Sequence, residues 1–151
     1  MRQDIKRELY SVCHQLIDER IETCRRAIAD AQHSANQETK SSSGDKYETG
    51  RAMAQLEIEK SSQQLSEALK LKSMLDQIPV DHSFHAAQPG SLVVTDRGTF
   101  FIAVGVGKVQ LHDGHYFIIA PFSPLGLALA GSKVGDLVTF RDVSYVIHEL
   151  I

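Results

Sequence analysis

From about Asp4 to Ala35, apolar residues recur at helical steps: Ile5, Leu9, Val12 and Leu16, then, displaced by one residue, Ile17, Ile21, Cys24, Ile28, Ala31 and Ala35. Steps of three and four place a stripe on one helix face, the spacing of a helix packed lengthwise on a partner. A second stretch, from about Asp45 to Gln77, repeats at Ala54, Ile58, Leu65, Ala68 and Leu75, flanked by Leu56, Leu69 and Leu71. Two such helices predict an antiparallel hairpin, with arms of roughly 30 residues and about 45 Å. The segment from Asn36 to Gly44 holds Ser41, Ser42 and Ser43 and offers nothing to bury, so it reads as the tip loop. The seam is small toward that tip (Ala27, Ala29, Ala31 and Ala35; Gly50, Ala52 and Ala54), which lets the backbones approach closely.

Beyond Pro79, which should stop the second helix, the pattern shortens to strands. Ser91–Thr95 and Thr99–Val104 are apolar runs joined by Asp96-Arg97-Gly98; Lys108–Leu111 and His115–Ala120 flank His112-Asp113-Gly114. Both connections are hairpin signals. Ser123 can cap a short helix that starts at Pro124 and ends at Gly131. Leu137–Phe140 and Ser144–Leu150 complete the sheet, with Leu125, Leu127, Leu129, Val138, Phe140, Val146 and Ile147 as expected core. The predicted class is α+β: an N-terminal antiparallel helical coiled-coil hairpin over 1–78, its tip at about 36–48, then a small antiparallel β domain with one short helix over 79–151.

Charge and glycine mark the same boundary. Residues 1–78 hold 25 of the 35 Lys, Arg, Asp and Glu residues but only two of the ten glycines. The net charge of −3 argues against a protein whose main affinity is for nucleic-acid phosphates, though its partner can still handle nucleic acid. No run approaches the ~18 apolar residues of a membrane span, and Met1-Arg2-Gln3-Asp4-Ile5-Lys6 lacks a signal-peptide core, so a cytoplasmic protein with no membrane partner is expected. Cys13 and Cys24 lie about 16 Å apart on one helix, too far for a disulfide, and read as reduced buried thiols. His82-x-x-His85 and His112-x-x-His115 read as surface positions in a linker and at a hairpin end, without a Cys/His zinc pattern.

Candidate chemistry concentrates at the start of the second arm. Asp45 and Glu48 are three residues apart, so both carboxylates can serve one side of the helix and one cation. A helix N-terminus favours their ionised form, as Mg²⁺ ligation requires. Asp45 at N-cap with Glu48 at N3 would equally make a capping box.

Two segments carry a resemblance. Gly44-Asp45-Lys46-Tyr47-Glu48-Thr49 is similar to the tip Gly-Asp-Leu-Ser-Glu-Asn of the bacterial Gre transcript-cleavage factors. The run from Phe122 through Ser123, Pro124, Leu125 and Gly126 to Asp136 resembles that family's Ser-Pro-x-x-x-Ala-Leu-x-Gly-Lys-x-x-Gly-Asp, at the corresponding place near the C-terminus. The resemblance implies an FKBP-like C-terminal domain and an elongation factor that binds bacterial RNA polymerase through its secondary channel. It also implies that Asp45 and Glu48 help hold a Mg²⁺ shared with the polymerase, which then cleaves the 3′ end of backtracked RNA. The chain would be an accessory factor with no cofactor of its own. Lys40, Lys46 and Arg51 would contact RNA or the channel wall, and Ser123 and Pro124 the polymerase surface.

The chain departs from the pattern. Thr49, Arg51 and Ala52 replace the family's Asn, Glu and Tyr, and Lys46 and Tyr47 stand between the acids. These departures leave a second reading open, a secondary-channel modulator without cleavage. An FKBP-like prolyl isomerase or chaperone is a further reading, although the chain has no Trp for a pocket floor. A module that dimerises through a stripe of Ile17, Leu56 and Leu71 is another; the channel role goes with a monomer.

Overall fold

The computed structural model describes residues 2–38 and 44–151, with side chains except at 38 and 44–47. Helix α1 runs Arg2–Glu38 and α2 runs Gly44–Asp76, followed by β1 Leu92–Thr95, β2 Gly98–Ile102, β3 Gly107–Leu111, β4 Gly114–Ile119, α3 Pro124–Leu129, β5 Leu137–Phe140 and β6 Val143–Leu150. The fold is α+β, a helical hairpin followed by a six-stranded sheet with one short helix. Two compact units divide the chain: Met1–His14 with Met74–Ile151, and Gln15–Ser73. The outermost turns of the hairpin base therefore cluster with the strands. Among the described residues, no helix is long and apolar enough to cross a membrane.

In the unit Gln15–Ser73, α1 contributes buried Ile17, Ile21, Cys24 and Ala31, and α2 contributes Ala54, Ser61 and Ala68. Lys72 pairs with Asp18 at 2.8 Å across the helices. The seam differs from the sequence expectation in its phase. Leu16 is 40% exposed, and the stripe runs Leu9, Cys13, Ile17, Ile21, Cys24 without a displacement, because Cys13 takes the position as a small apolar residue. Ile17 is 3% exposed, so it cannot join Leu56 in an outward stripe. Ser61 is a buried polar member; its hydroxyl donates to Glu57 Oε1 at 3.2 Å, one turn earlier.

In the other unit, the first turns of α1 grip the segment after α2. Gln3 Nε2 donates to the Val80 carbonyl, Lys6 Nζ to the His82 carbonyl and Arg7 Nε to Asp81, each at 2.8 Å. The Tyr10 hydroxyl donates to the Leu75 carbonyl at 2.7 Å, and His14 faces Asp76 at 3.6 Å. Lys6 is wholly covered, its ammonium 4.8 Å from the centre of the Phe84 ring.

The sheet order is β3-β4-β2-β1-β6-β5. Five of its pairings are made by four antiparallel contacts and one parallel contact, β2 with β4, so the sheet is mixed. Val93, Phe100, Ile102, Val138 and Ile147 join Leu129 of α3 and Ala87 in one core. Leu92, Phe101 and Ile118 are equally buried, and strand alternation places them on the opposite face. Of the expected core, Leu125, Phe140 and Val146 are half-buried, whereas Leu127 is 64% exposed. Leu127 follows Leu125 by two residues, which on a helix turns it about 200° away from the buried side.

Candidate functional site

The acids sit where the second arm begins. With α2 starting at Gly44, Asp45 is its second residue and Glu48 its fifth, so the pair lies just inside the helix rather than at its cap. The i, i+3 spacing puts both positions on one helix side. Glu48 is exposed; the side chains of Asp45 and Lys46, and the whole of Lys40, lie outside the described residues. Arg51 is exposed and stands three residues after Glu48, a neighbour on the same helix surface. Partial positive charge at the helix N-terminus favours carboxylates there.

Two carboxylates fit a hard divalent cation in part. Mg²⁺ takes six oxygens and is commonly bound through one or two carboxylates plus substrate phosphates. Among the described residues, no cluster of three or more His, Cys, Asp and Glu side chains could hold a metal.

The second cluster surrounds α3. Ser123 caps the helix: its hydroxyl accepts from the Gly126 amide at 3.1 Å and donates to the Ala120 carbonyl at 2.7 Å, with Pro124 at the first helical turn. Gly126 is required because its backbone lies against residues 120–121. A Cβ there would overlap the Ala120 carbonyl oxygen and come within 2.8 Å of that of Pro121. This close approach accounts for the Ser-Pro-x-Gly order in physical terms. Gly131, at φ +78°, ends the turn, its amide donating to the Ala87 carbonyl at 2.8 Å.

In the sequence around this segment, four large apolar side chains are exposed: Phe122 at 63%, Leu127 at 64%, Val134 at 59% and Leu137 at 64%. They lie on the lead-in to α3, on α3, on the following turn and on the edge strand β5; Leu137 alternates with Val138, which shares a core with Leu129 of α3, so Leu137 faces away from that helix. Sequence reasoning singled out Ser123 and Pro124 and expected Leu127 in the core, missing its exposure. A six-residue helix is too short for its periodicity to separate an outer leucine from an inner one. Phe117 and Tyr145 each pack on Phe100, with ring centres 5.5 and 5.8 Å from it, and Phe100 is 5% exposed.

No family model and no curated protein matches the chain. Among solved structures the chain is similar to the GreA factor homolog 1 protein of Thermus thermophilus, at 16% identity over 94% of each chain with a TM-score of 0.34. A likeness that distant leaves the functional reading to the residues themselves.

Proposed function

We propose that this chain is a Gre-like transcription elongation factor that enters the secondary channel of bacterial RNA polymerase and promotes cleavage of backtracked RNA. The observation that carries the reading is the acid pair on one side of the first turns of α2, with Glu48 exposed at the start of the second arm. Asp45 and Glu48 would hold a Mg²⁺ together with the polymerase's own ligands. Bound there, the ion supplies charge stabilisation and an activated water for phosphodiester hydrolysis. The chain's own contribution is to place two carboxylates three residues apart at the start of the second arm. It acts as an accessory factor in the cytoplasm, one copy per polymerase, and the polymerase performs the hydrolysis.

Exposed Phe122 and Leu127, with Pro124 between them in sequence, are the proposed polymerase-docking surface. Exposed Phe and Leu side chains on neighbouring elements are the composition of an interface core. Ser123 serves that surface by holding the cap in shape rather than by touching the partner, since its hydroxyl is committed at both ends.

One observation favours the modulator reading. Arg51 stands one turn from Glu48 where the family carries a carboxylate, and a cation there competes with a metal for the acid. Stalled, backtracked elongation complexes separate the two. Addition of the protein with Mg²⁺ is expected to release short 3′ RNA fragments. Altered pausing or initiation with no fragment release would establish the modulator instead, and no effect with no binding would remove both.

A further inference from the structure

The two edges of the sheet are protected differently. At one edge, β3 carries Lys108, a charge that opposes further strand pairing. At the other edge, β5 reads Leu137-Val138-Thr139-Phe140 and has no charge. One side of β5 is taken by β6, with Leu137 opposite Val146 and Thr139 opposite Ser144. The backbone of those two partners turns the other way. The Val146 amide donates to Asp96 Oδ1 at 2.8 Å and its carbonyl accepts from the Asp96 amide at 3.2 Å. The Ser144 carbonyl accepts from Arg97 Nε at 2.8 Å. In an antiparallel ladder, the residue opposite such a group points its own amide and carbonyl to the free side. Leu137 and Thr139 therefore present two donors and two acceptors along the open edge, and no described residue takes them. Both side chains are exposed and stand on the sheet face, clear of the edge.

We infer that two copies of this chain pair through β5, antiparallel and related by a two-fold axis at Val138. Only an extended chain matches donors and acceptors repeated at every second residue. The second copy fits because the edge is its own complement. The axis sets Leu137 of each copy against Thr139 of the other, and each of these two pairs exchanges two hydrogen bonds, so every outward group is used. The structure disfavours the neighbouring registers. An axis at Leu137 sets Thr139 against Gly135, whose amide already bonds the Ile147 carbonyl at 2.8 Å. An axis at Thr139 sets Leu137 against Arg141, which has left the strand at φ +50°. With the axis at Val138, each Leu137, 64% exposed in one copy, lies beside Thr139 and diagonal to Leu137 of the other. On the opposite face, Phe140 lies beside Asp136 of the second copy. The Arg141 guanidinium, 5.0 Å from the centre of the Phe140 ring, is thereby brought toward that carboxylate. Two short pairs make a weak association, on the order of 0.1–1 mM, which separates on dilution and is compatible with one copy per polymerase. The inference does not rest on the function proposed above.

The test uses the full chain without polymerase. Sedimentation equilibrium from about 20 µM to about 1 mM reads the mass, and amide hydrogen exchange followed by NMR reads the edge. The mass should rise toward that of two chains, and the Leu137 and Thr139 amides should gain protection with concentration. The Val138 and Phe140 amides, which face β6, should be protected throughout. Leu137→Lys brings two ammoniums together in the pair and should weaken it by about tenfold or more. Its melting temperature at low concentration should match the parent's, because the side chain is exposed. Thr139→Pro, which removes an outward amide that the fold does not use, should weaken the pair likewise. A mass of one chain at every concentration, association that survives both edge variants, or association without protection at Leu137 and Thr139 overturns the inference. Because polymerase is absent, each of those failures leaves the reading of the tip acids untouched.

Discussion

Removing the ammonium of Lys6 should erase a pH-dependent gain in stability. Lys6 is covered completely and donates to the His82 carbonyl at 2.8 Å, with Asp81 and the Phe84 ring close by. Burial lowers its pKa from 10.5 to about 8, and Asp81, already engaged by Arg7, recovers only part of that loss. Between those values the unfolded chain holds a proton that the folded chain has released, so stability rises with pH across that window. At ~1.36 kcal/mol per unit, the ceiling is about 3 kcal/mol. The site lies near the molecular surface although the side chain itself is covered, so water screens part of the effect. About 1–2 kcal/mol is the working expectation. Urea unfolding of the parent and of Lys6→Met, measured from pH 7 to pH 10.5, provides the comparison. Other groups drive stability the opposite way. The buried Cys13 thiol is pushed up to about 12 from 9.0, so above pH 9 the unfolded chain loses its proton first and the fold is destabilised. Subtracting the two profiles cancels that contribution. The parent should gain on Lys6→Met as pH rises; parallel profiles would refute the reasoning.

Gly126→Ala should destabilise the strand-bearing unit by about 1–3 kcal/mol, read in thermal unfolding, since the added methyl meets fixed backbone rather than a movable side chain. Ser123→Ala should cost about 1 kcal/mol through the lost cap, and Ser123→Thr should restore part of it. Both thiols should resist an aromatic disulfide reagent at pH 8 in the native protein and react at the rate of unfolding, because Cys13 and Cys24 are buried and burial keeps Cys13 protonated. Leu127→Asp should leave the melting temperature within about 0.5 kcal/mol of the parent, since the side chain is outside, and should weaken polymerase binding at least tenfold in a pull-down titration.

The elements that were legible in the sequence are those specified by neighbours along the chain. Two long periodic helices, the turns Asp96-Arg97-Gly98 and His112-Asp113-Gly114, and the Ser123-Pro124 cap each carry a local signal, and each lies where the structure has it. What was not legible depends on residues far apart. The cover over Lys6 comes from residues more than 70 positions later, and a lysine in a charged segment gives no sign of it. The parallel pairing of β2 with β4 joins strands separated by another strand, which hairpin signals cannot report. Leu127 lies outside because the close approach at Gly126 fixes the roll of α3. At the start of the second arm, the i, i+3 acid spacing was readable, because it is a spacing along one helix.

The central claim is that the carboxylates of Asp45 and Glu48 act inside a polymerase. Its most direct test is the rate of 3′ fragment release from backtracked complexes with saturating protein, comparing the parent with the isosteric double variant Asp45→Asn, Glu48→Gln. The account predicts that the variant still competes with the parent for polymerase but releases fragments at the polymerase's unassisted rate. Fragment release by the variant at the parent's rate would contradict it.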